Sequence, residues 1–487
     1  MHRAASALVT LRLIAASIGA LLLFSNALAG DWLQFRGANA DGLAVGNAPL
    51  PSDIGPDSRV EWKVALPPGH SSPVIAGDRI FVTAVREGKL LTMALNRNSG
   101  DVVWEDEAPH ETLESIHRIG SHAQSSPVTD GDHVVSFFGS SGLSCYDRSG
   151  KLLWRNRMGP FKNDFGAGSS PLIVGDRLIL CQDHDTDSFL AAYDLADGRE
   201  LWRVDRSEFT RNYSSPVIWT VDGRRQIVCA ATLRVVGYDI DSGNELWTVR
   251  GIARFVSATP VIGPDNTLYI AGWAAGGDAG GERFLVPAFE ESATEFDKNQ
   301  NGTLEEDELP TGPIKQRFTQ VDRDKSGGID AREYEYARRL FTEGKNLVMA
   351  IKPGAEGEAT QSHILWTYDK HVPFCATPVV TEGRLFAVKD GGILVSLDAR
   401  SGKALKPARL SAAGDYYSSP VSGDGKVYLV NEEGKLTVVS NDGLWRVLHT
   451  ADFGENVYAT PAIVDGKIYF RTAGHLYCFT NGGKPAP

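Results

Sequence analysis

The triplet Ser-Ser-Pro or Ala-Thr-Pro opens at Ser71, Ser125, Ser169, Ser214, Ala258, Ala376, Ser418 and Ala459, giving steps of 54, 44, 45, 44, 118, 42 and 41 residues. A unit of that length cannot bury a hydrophobic face alone and must stack on its neighbours. The copy beginning at Ser214 shows its content. Apolar runs at 227–230 and 235–238, then Glu245-Leu246-Trp247 after the turn Asp241-Ser242-Gly243, read as four short strands. The glycine-to-tryptophan interval repeats from Gly100 to Trp104, Gly150 to Trp154, Gly198 to Trp202 and Gly243 to Trp247. Four strands in about 40–45 residues are the mark of a propeller blade, so the chain is predicted to be all-β, an eight-bladed β-propeller of four-stranded blades.

These repeats resemble the PQQ-like repeat propellers, a superfamily that includes quinoprotein dehydrogenases and the outer-membrane assembly propeller. The resemblance covers nearly everything outside the 118-residue step. Val60-Glu61-Trp62-Lys63-Val64 looks like an outer strand without its three partners, and the last repeat, from Ala459, ends at Gly482-Gly483 without a tryptophan strand. The two defects complement each other, so 60–64 is expected to complete blade eight and close the ring. Trp62, Trp104, Trp154, Trp202, Trp247, Trp366 and Trp445 are expected to dock between blades as core. Lys406 stands where blade six should carry its tryptophan, which predicts a weaker seam there.

The long step splits blade five between its second and third strands, at 268–271 and 347–351. Residues 297–308 match the twelve-residue EF-hand loop, and 322–333 match it again. Such a loop wraps Ca²⁺ with oxygens from alternate residues, turns at a glycine and ends on a bidentate glutamate. Asp297, Asn299, Asn301, Thr303 (carbonyl), Glu305 (through water) and Glu308 take those roles in the first loop. Asp322, Asp324, Ser326, Gly328, Asp330 and Glu333 take them in the second. Phe289 with Phe296, Ile314 with Phe318 and Val321, and Tyr334 with Ala337 and Phe341 recur at helical spacing around the loops. The insertion is thus a small α-helical EF-hand pair. Pro310 and Pro313 interrupt the helix expected after the first loop, and the loops start only 25 residues apart, unlike a calcium sensor.

Residues 1–29 carry Arg3 and Arg12, an apolar run at 13–24 and Ala27-Leu28-Ala29, the pattern of a cleaved signal peptide. No cysteine follows the run, so the expected product is exported to the periplasm or extracellular space without a lipid anchor or transmembrane span. The expected divisions are then 30–273 for the lead-in and blades one to five in part, 274–346 for the insertion, 347–483 for the remaining blades and 484–487 for a tail. A net charge of −12 argues against nucleic acid and anionic membranes as partners. Of five cysteines, Cys181 and Cys229 hold matching places in neighbouring blades, which leaves one disulfide open.

Loops leading into the triplets reach one face of the ring, where this fold binds ligands. Candidates there are His117, Arg118, His122, Asp164, Phe165, Arg211, Asn212, Tyr213, Arg254, Tyr416, Tyr417, Asn456 and Tyr458. His117 and His122 lack the spacing and third ligand of a zinc site. Two functions follow. One is a non-catalytic, calcium-binding scaffold or binding protein of the cell envelope, with a protein or peptide partner. The other, implied by the resemblance, is a PQQ-dependent oxidoreductase. Quinoprotein alcohol dehydrogenases usually carry adjacent cysteines against the quinone, and this sequence has none. The scaffold is the favoured reading.

Overall fold

A computed structural model describes residues 30–185, 187–275 and 286–484, so the expected signal peptide lies outside the described residues. Eight antiparallel four-stranded sheets form the blades of one propeller. In blade one the inner strands Val74–Ala76, Arg79–Arg86 and Lys89–Asn96 are apolar runs buried on both faces, whereas the outer strand Val102–Ala108 is largely exposed. Inner strands packed on both sides require continuous β-branched and aliphatic sequence, and the rim requires only one apolar face. Blade five consists of Val261–Ile262, Leu268–Gly272, Leu347–Ile351 and Ile364–Tyr368, with the helical segment leaving between the second and third.

Blade eight joins the two ends of the chain. Val60–Ala65 pairs antiparallel with His475–Thr480, with Trp62 opposite Cys478, so no open edge remains there. The lead-in before that strand crosses the ring, pairing Trp32 with Ile75, Leu43 with Ser422 and Val45 with Val464. At the crossing the wholly buried Arg36 donates to the carbonyls of Pro378 and Pro420, each at 2.9 Å. Burial lowers its pKa to about 10, and those carbonyls satisfy the guanidinium.

The tryptophans explain how neighbouring blades lock. In blades one, three and six a bulge sets the register of the outer strand just before Trp104, Trp202 or its equivalent Lys406. The indole of Trp104 donates to Arg148 O of the next blade, Trp154 to Leu195 O, Trp202 to Ile240 O and Trp366 to Ala399 O. Each ring lies over the turn glycine of that next blade: Gly150, Gly198, Gly243 and Gly402. The repeated glycine and the repeated tryptophan are therefore one interblade contact.

Three places depart from this scheme. Trp247 bonds instead within its own blade, to Gln226 Oε1 at 2.6 Å, and packs edge-on against Trp219. A parallel strand, Gly357–Glu358, adds to its outer edge. Trp445 is not the blade-seven equivalent; it sits in the turn before Val447–Asp452, and His449 occupies the paired position. Nor is the Lys406 seam loose. Trp445 fills it, accepting Lys406 Nζ over its ring at 4.2 Å, while Nζ donates to Trp445 O and the indole donates to Lys406 O. Cys181 and Cys229 are both free thiols in one core cluster. A hydrogen bond with Cys229, followed by burial, raises the Cys181 pKa well above its usual value.

Candidate functional site

The triplets build a funnel on the ring axis. Their second residues, Ser72, Ser126, Ser170, Ser215, Thr259, Thr377, Ser419 and Thr460, form a closed circle. Each backbone N–H donates to the hydroxyl oxygen of the next blade, at 2.9–3.3 Å, and Thr460 N returns to Ser72 Oγ at 3.0 Å. All eight residues are buried and line the same cavity. Since the oxygens act as acceptors in the circle, their O–H groups remain available as donors toward the axis.

The residue before each triplet forms the wall: His70, Gln124, Gly168, Tyr213, Ser257, Cys375, Tyr417 and Tyr458. Phe165, Phe255 and Phe374 fill the gaps, and Phe35 enters from the lead-in. Tyr213 meets Phe165 and Phe255 edge-on, Phe255 stacks on Phe374, and His70 stacks on Tyr458 at 3.9 Å. The cavity has a volume of about 150 Å³ and has no Lys, Arg, Asp or Glu among its lining residues. Burial, reinforced by Arg471, lowers His70 to about 3, so its imidazole is neutral. Behind the Tyr417 side, burial and the Asp415 and Glu432 charges raise Asp390 to about 6, while Tyr458 donates to Glu432 at 2.7 Å.

Of the residues expected at this face, Phe165, Tyr213, Tyr417 and Tyr458 line the funnel. Arg211 and Arg254 line a neighbouring cleft. Asp164 pairs with Arg211, and His117 packs on Phe165. Asn212 is buried as a brace, bonding Asp183, Thr232 and Val256 N. Tyr416 turns into the core, its hydroxyl on Ala412 O. Arg118 and Asn456 are exposed, and His122 is half-buried. The sequence reading missed the hydroxyl circle, although aligning the triplets displays it. No local signal marks Phe35 or Phe374.

Within the insertion the two acidic loops share one hydrogen-bond pattern. Asp297 accepts from Asn301 N and Gly302 N, as Asp322 does from Ser326 N and Gly327 N. Glu308 accepts from Lys298 N and Glu305 N, as Glu333 does from Arg323 N and Asp330 N. Leu304–Glu305 pairs with Gly328–Ile329, and Phe289–Phe296, Phe318–Val321 and Ala331–Thr342 are helical over a small core of their own. Pro310 to Ile314 contains turns rather than a helix. Carboxylate oxygens of Asp322, Asp324 and Glu333 lie within 4.8 Å of one another, the one such acidic triad among the described residues.

The family model described as outer membrane protein assembly factor BamB matches residues 116–275 and 321–481, well over half of the chain. The chain belongs to that family. A member from Kangiella koreensis, also an outer membrane protein assembly factor BamB, is 24% identical over 162 residues, which span 32% of this chain and 38% of that relative. Among solved structures, BamB from Moraxella catarrhalis aligns with a TM-score of 0.54 at 11% identity, over 86% of this chain and 98% of that one. Quinohemoprotein alcohol dehydrogenase from Comamonas testosteroni gives 0.53 at 13% identity, over 95% and 82%. Both alignments establish the propeller fold and stop there. No helix among the described residues is long and apolar enough to cross a membrane.

Proposed function

We propose that this family member is an exported, non-catalytic binding propeller of the cell envelope, whose funnel takes an uncharged apolar or aromatic part of a protein or peptide. The observation that carries this reading is the funnel lining: aromatic walls over a floor of hydroxyl donors, with no Lys, Arg, Asp or Glu and with its one imidazole held neutral. Such a surface rewards burial of apolar area and a few neutral hydrogen bonds. The name borne by the Kangiella relative supports an envelope partner, and the pattern of residues 1–29 supports export.

The rival cofactor does not suit these residues. PQQ is a polycarboxylate, and its charges need cationic side chains or a metal with acidic ligands beside the quinone. The funnel lining supplies neither, and Cys375 has no adjacent cysteine. Protein mixed with PQQ and Ca²⁺ is expected not to reduce an artificial electron acceptor when given alcohols or aldoses. Turnover above the protein-free control would reject the non-catalytic reading. On a peptide array, Tyr213→Ala and Tyr458→Ala are expected to weaken capture of aromatic peptides, and unchanged capture would remove the funnel from the proposal.

The same reading makes residues 274–346 an EF-hand pair holding two Ca²⁺. Asp297, Asn299, Asn301, Thr303, Glu305 and Glu308 would hold one ion, and Asp322, Asp324, Ser326, Gly328, Asp330 and Glu333 the other. The duplicated hydrogen-bond pattern and the Asp322, Asp324 and Glu333 triad support it. The second loop offers more carboxylates and should bind more tightly. Calorimetry is expected to resolve two sites, with Glu333→Gln removing the tighter one. Chelation should melt helix but leave the β-rich signal.

A further inference from the structure

Beside the funnel, the rim of blades three to five and the helical insertion face each other across a cleft of about 290 Å³. The walls are aromatic: Trp273 and Phe374 meet edge-on at 4.8 Å on the propeller side, and Tyr336 and Phe341 face them from the helix Ala331–Thr342. Three arginines enter this space. Arg211 is ion-paired, held in a fork by Asp185 at 2.8 Å and by Asp164 at 2.7 Å. Arg254 and Arg317 differ, because no carboxylate pairs with either among the described residues. Their guanidinium carbons lie 4.9 and 5.6 Å from the Phe341 ring centre, and Arg254 spends one N–H on Ala275 O at 2.6 Å.

Two unpaired guanidiniums in one half-buried cleft repel each other, and the cleft withdraws them from water. The arrangement lowers Arg254 to about 10, first by burial and then by the charges of Arg317 and Arg211; Arg317 shifts the same way, by burial and then by the charge of Arg211. The face of Phe341 offsets part of that cost but supplies no hydrogen-bond acceptor. An oxyanion would do both, and the surrounding rings would cover a flat body attached to it. We propose that this cleft is a binding site for an organic anion, a carboxylate carried on a flat apolar group, held by Arg254 and Arg317 and covered by Trp273 and Phe374. The site goes beyond the funnel reading and does not depend on it, since the charge sits wholly outside the funnel lining.

Calorimetry with 2-naphthoate and its uncharged analogue 2-naphthalenemethanol tests this on the intact protein. The acid is expected to bind at least about tenfold more tightly than the alcohol, the size of a charge-assisted hydrogen bond. That preference should shrink as NaCl is raised. Arg254→Met with Arg317→Met keeps the apolar length of both side chains and should abolish the preference. Equal affinity for acid and alcohol in the unmodified protein, or no binding of the acid, would overturn the proposal without recourse to a variant. An undiminished preference in a double variant that melts normally would place the anion elsewhere and overturn it too.

Discussion

Replacing Gly198 by alanine probes the contact that recurs at the seams of Trp104, Trp154, Trp202 and Trp366. Gly198 has φ +75°, and a Cβ there would lie 2.6 Å from Cδ2 and Cε3 of Trp154. The indole cannot move away freely, since it is buried and its Nε1 donates to Leu195 O at 2.8 Å. Alanine in the left-handed region costs about 1 kcal/mol, and forcing a methyl into a packed ring adds about 1–3 kcal/mol, for a total of about 2–4 kcal/mol. Gly175 is the matched control: φ is +62° and nothing lies within 4 Å of its Cβ position, so Gly175→Ala should cost only the backbone part, about 1 kcal/mol. Trp154→Ala alone should cost about 3–5 kcal/mol. In the double variant the added methyl occupies part of the cavity, so the two losses should fall short of additive by about 1 kcal/mol or more. Urea denaturation followed by circular dichroism measures all four proteins. Equal losses for Gly198→Ala and Gly175→Ala, or strict additivity with Trp154→Ala, would refute the lock between blades.

The hydroxyl circle makes a second claim: Thr377→Val keeps the shape but leaves Thr259 N–H buried without its acceptor, which should lower stability by about 1–3 kcal/mol, whereas Thr377→Ser should restore most of it. His184 is wholly buried, and burial lowers its pKa to about 3. Below its ordinary value of about 6.5 the unfolded chain therefore takes up a proton that the native chain refuses, so stability falls as pH drops from about 6.5 towards 3. His184→Leu should flatten that part of the curve by up to about 1.4 kcal/mol per pH unit relative to the unmodified protein, and identical slopes would show that the imidazole ionises in place. Removing residues 30–65 takes away both the strand that closes blade eight and Arg36, and should lower the melting temperature sharply. An unchanged melting temperature would mean that the ring closes some other way.

The architecture was readable because the chain states it many times. A single Ser-Ser-Pro means little, but eight triplets and a recurring glycine-to-tryptophan step allow only stacked units. The complementary defects at Val60 to Val64 and after Ala459 gave ring closure for the same reason. Phase failed where one copy deviates: Trp445 lies near the expected place but belongs to a turn, and only the pairing of Val438 with His449 reveals the shift. The funnel was half legible. Tyr213, Tyr417 and Tyr458 immediately precede a triplet and were found, but Phe35 reaches the axis from a non-repeating lead-in, and Phe374 lies two residues before a triplet with nothing to set it apart. The arginine cleft was invisible as a site, because Arg254 and Arg317 are far apart in sequence and meet only across the junction of blade and insertion.

Closing the ring through blade eight also fixes the order in which the molecule can assemble. Ala65 faces His475, 410 residues further along the chain, while every other strand in the ring finds its partners within its own repeat or across the blade-five insertion. Local hairpins form in about 1–10 μs, but a pairing over this distance must wait for nearly the whole chain and carries the largest loop-closure entropy. Blades one to seven can therefore accumulate as an open arc with the strand Val60–Ala65 unpaired at one end and the edge of His475–Thr480 at the other. In that interval the same strand from a second molecule competes for the same edge, so refolding at high concentration should yield strand-exchanged dimers whose fraction rises with protein concentration, while dilute refolding yields closed monomers.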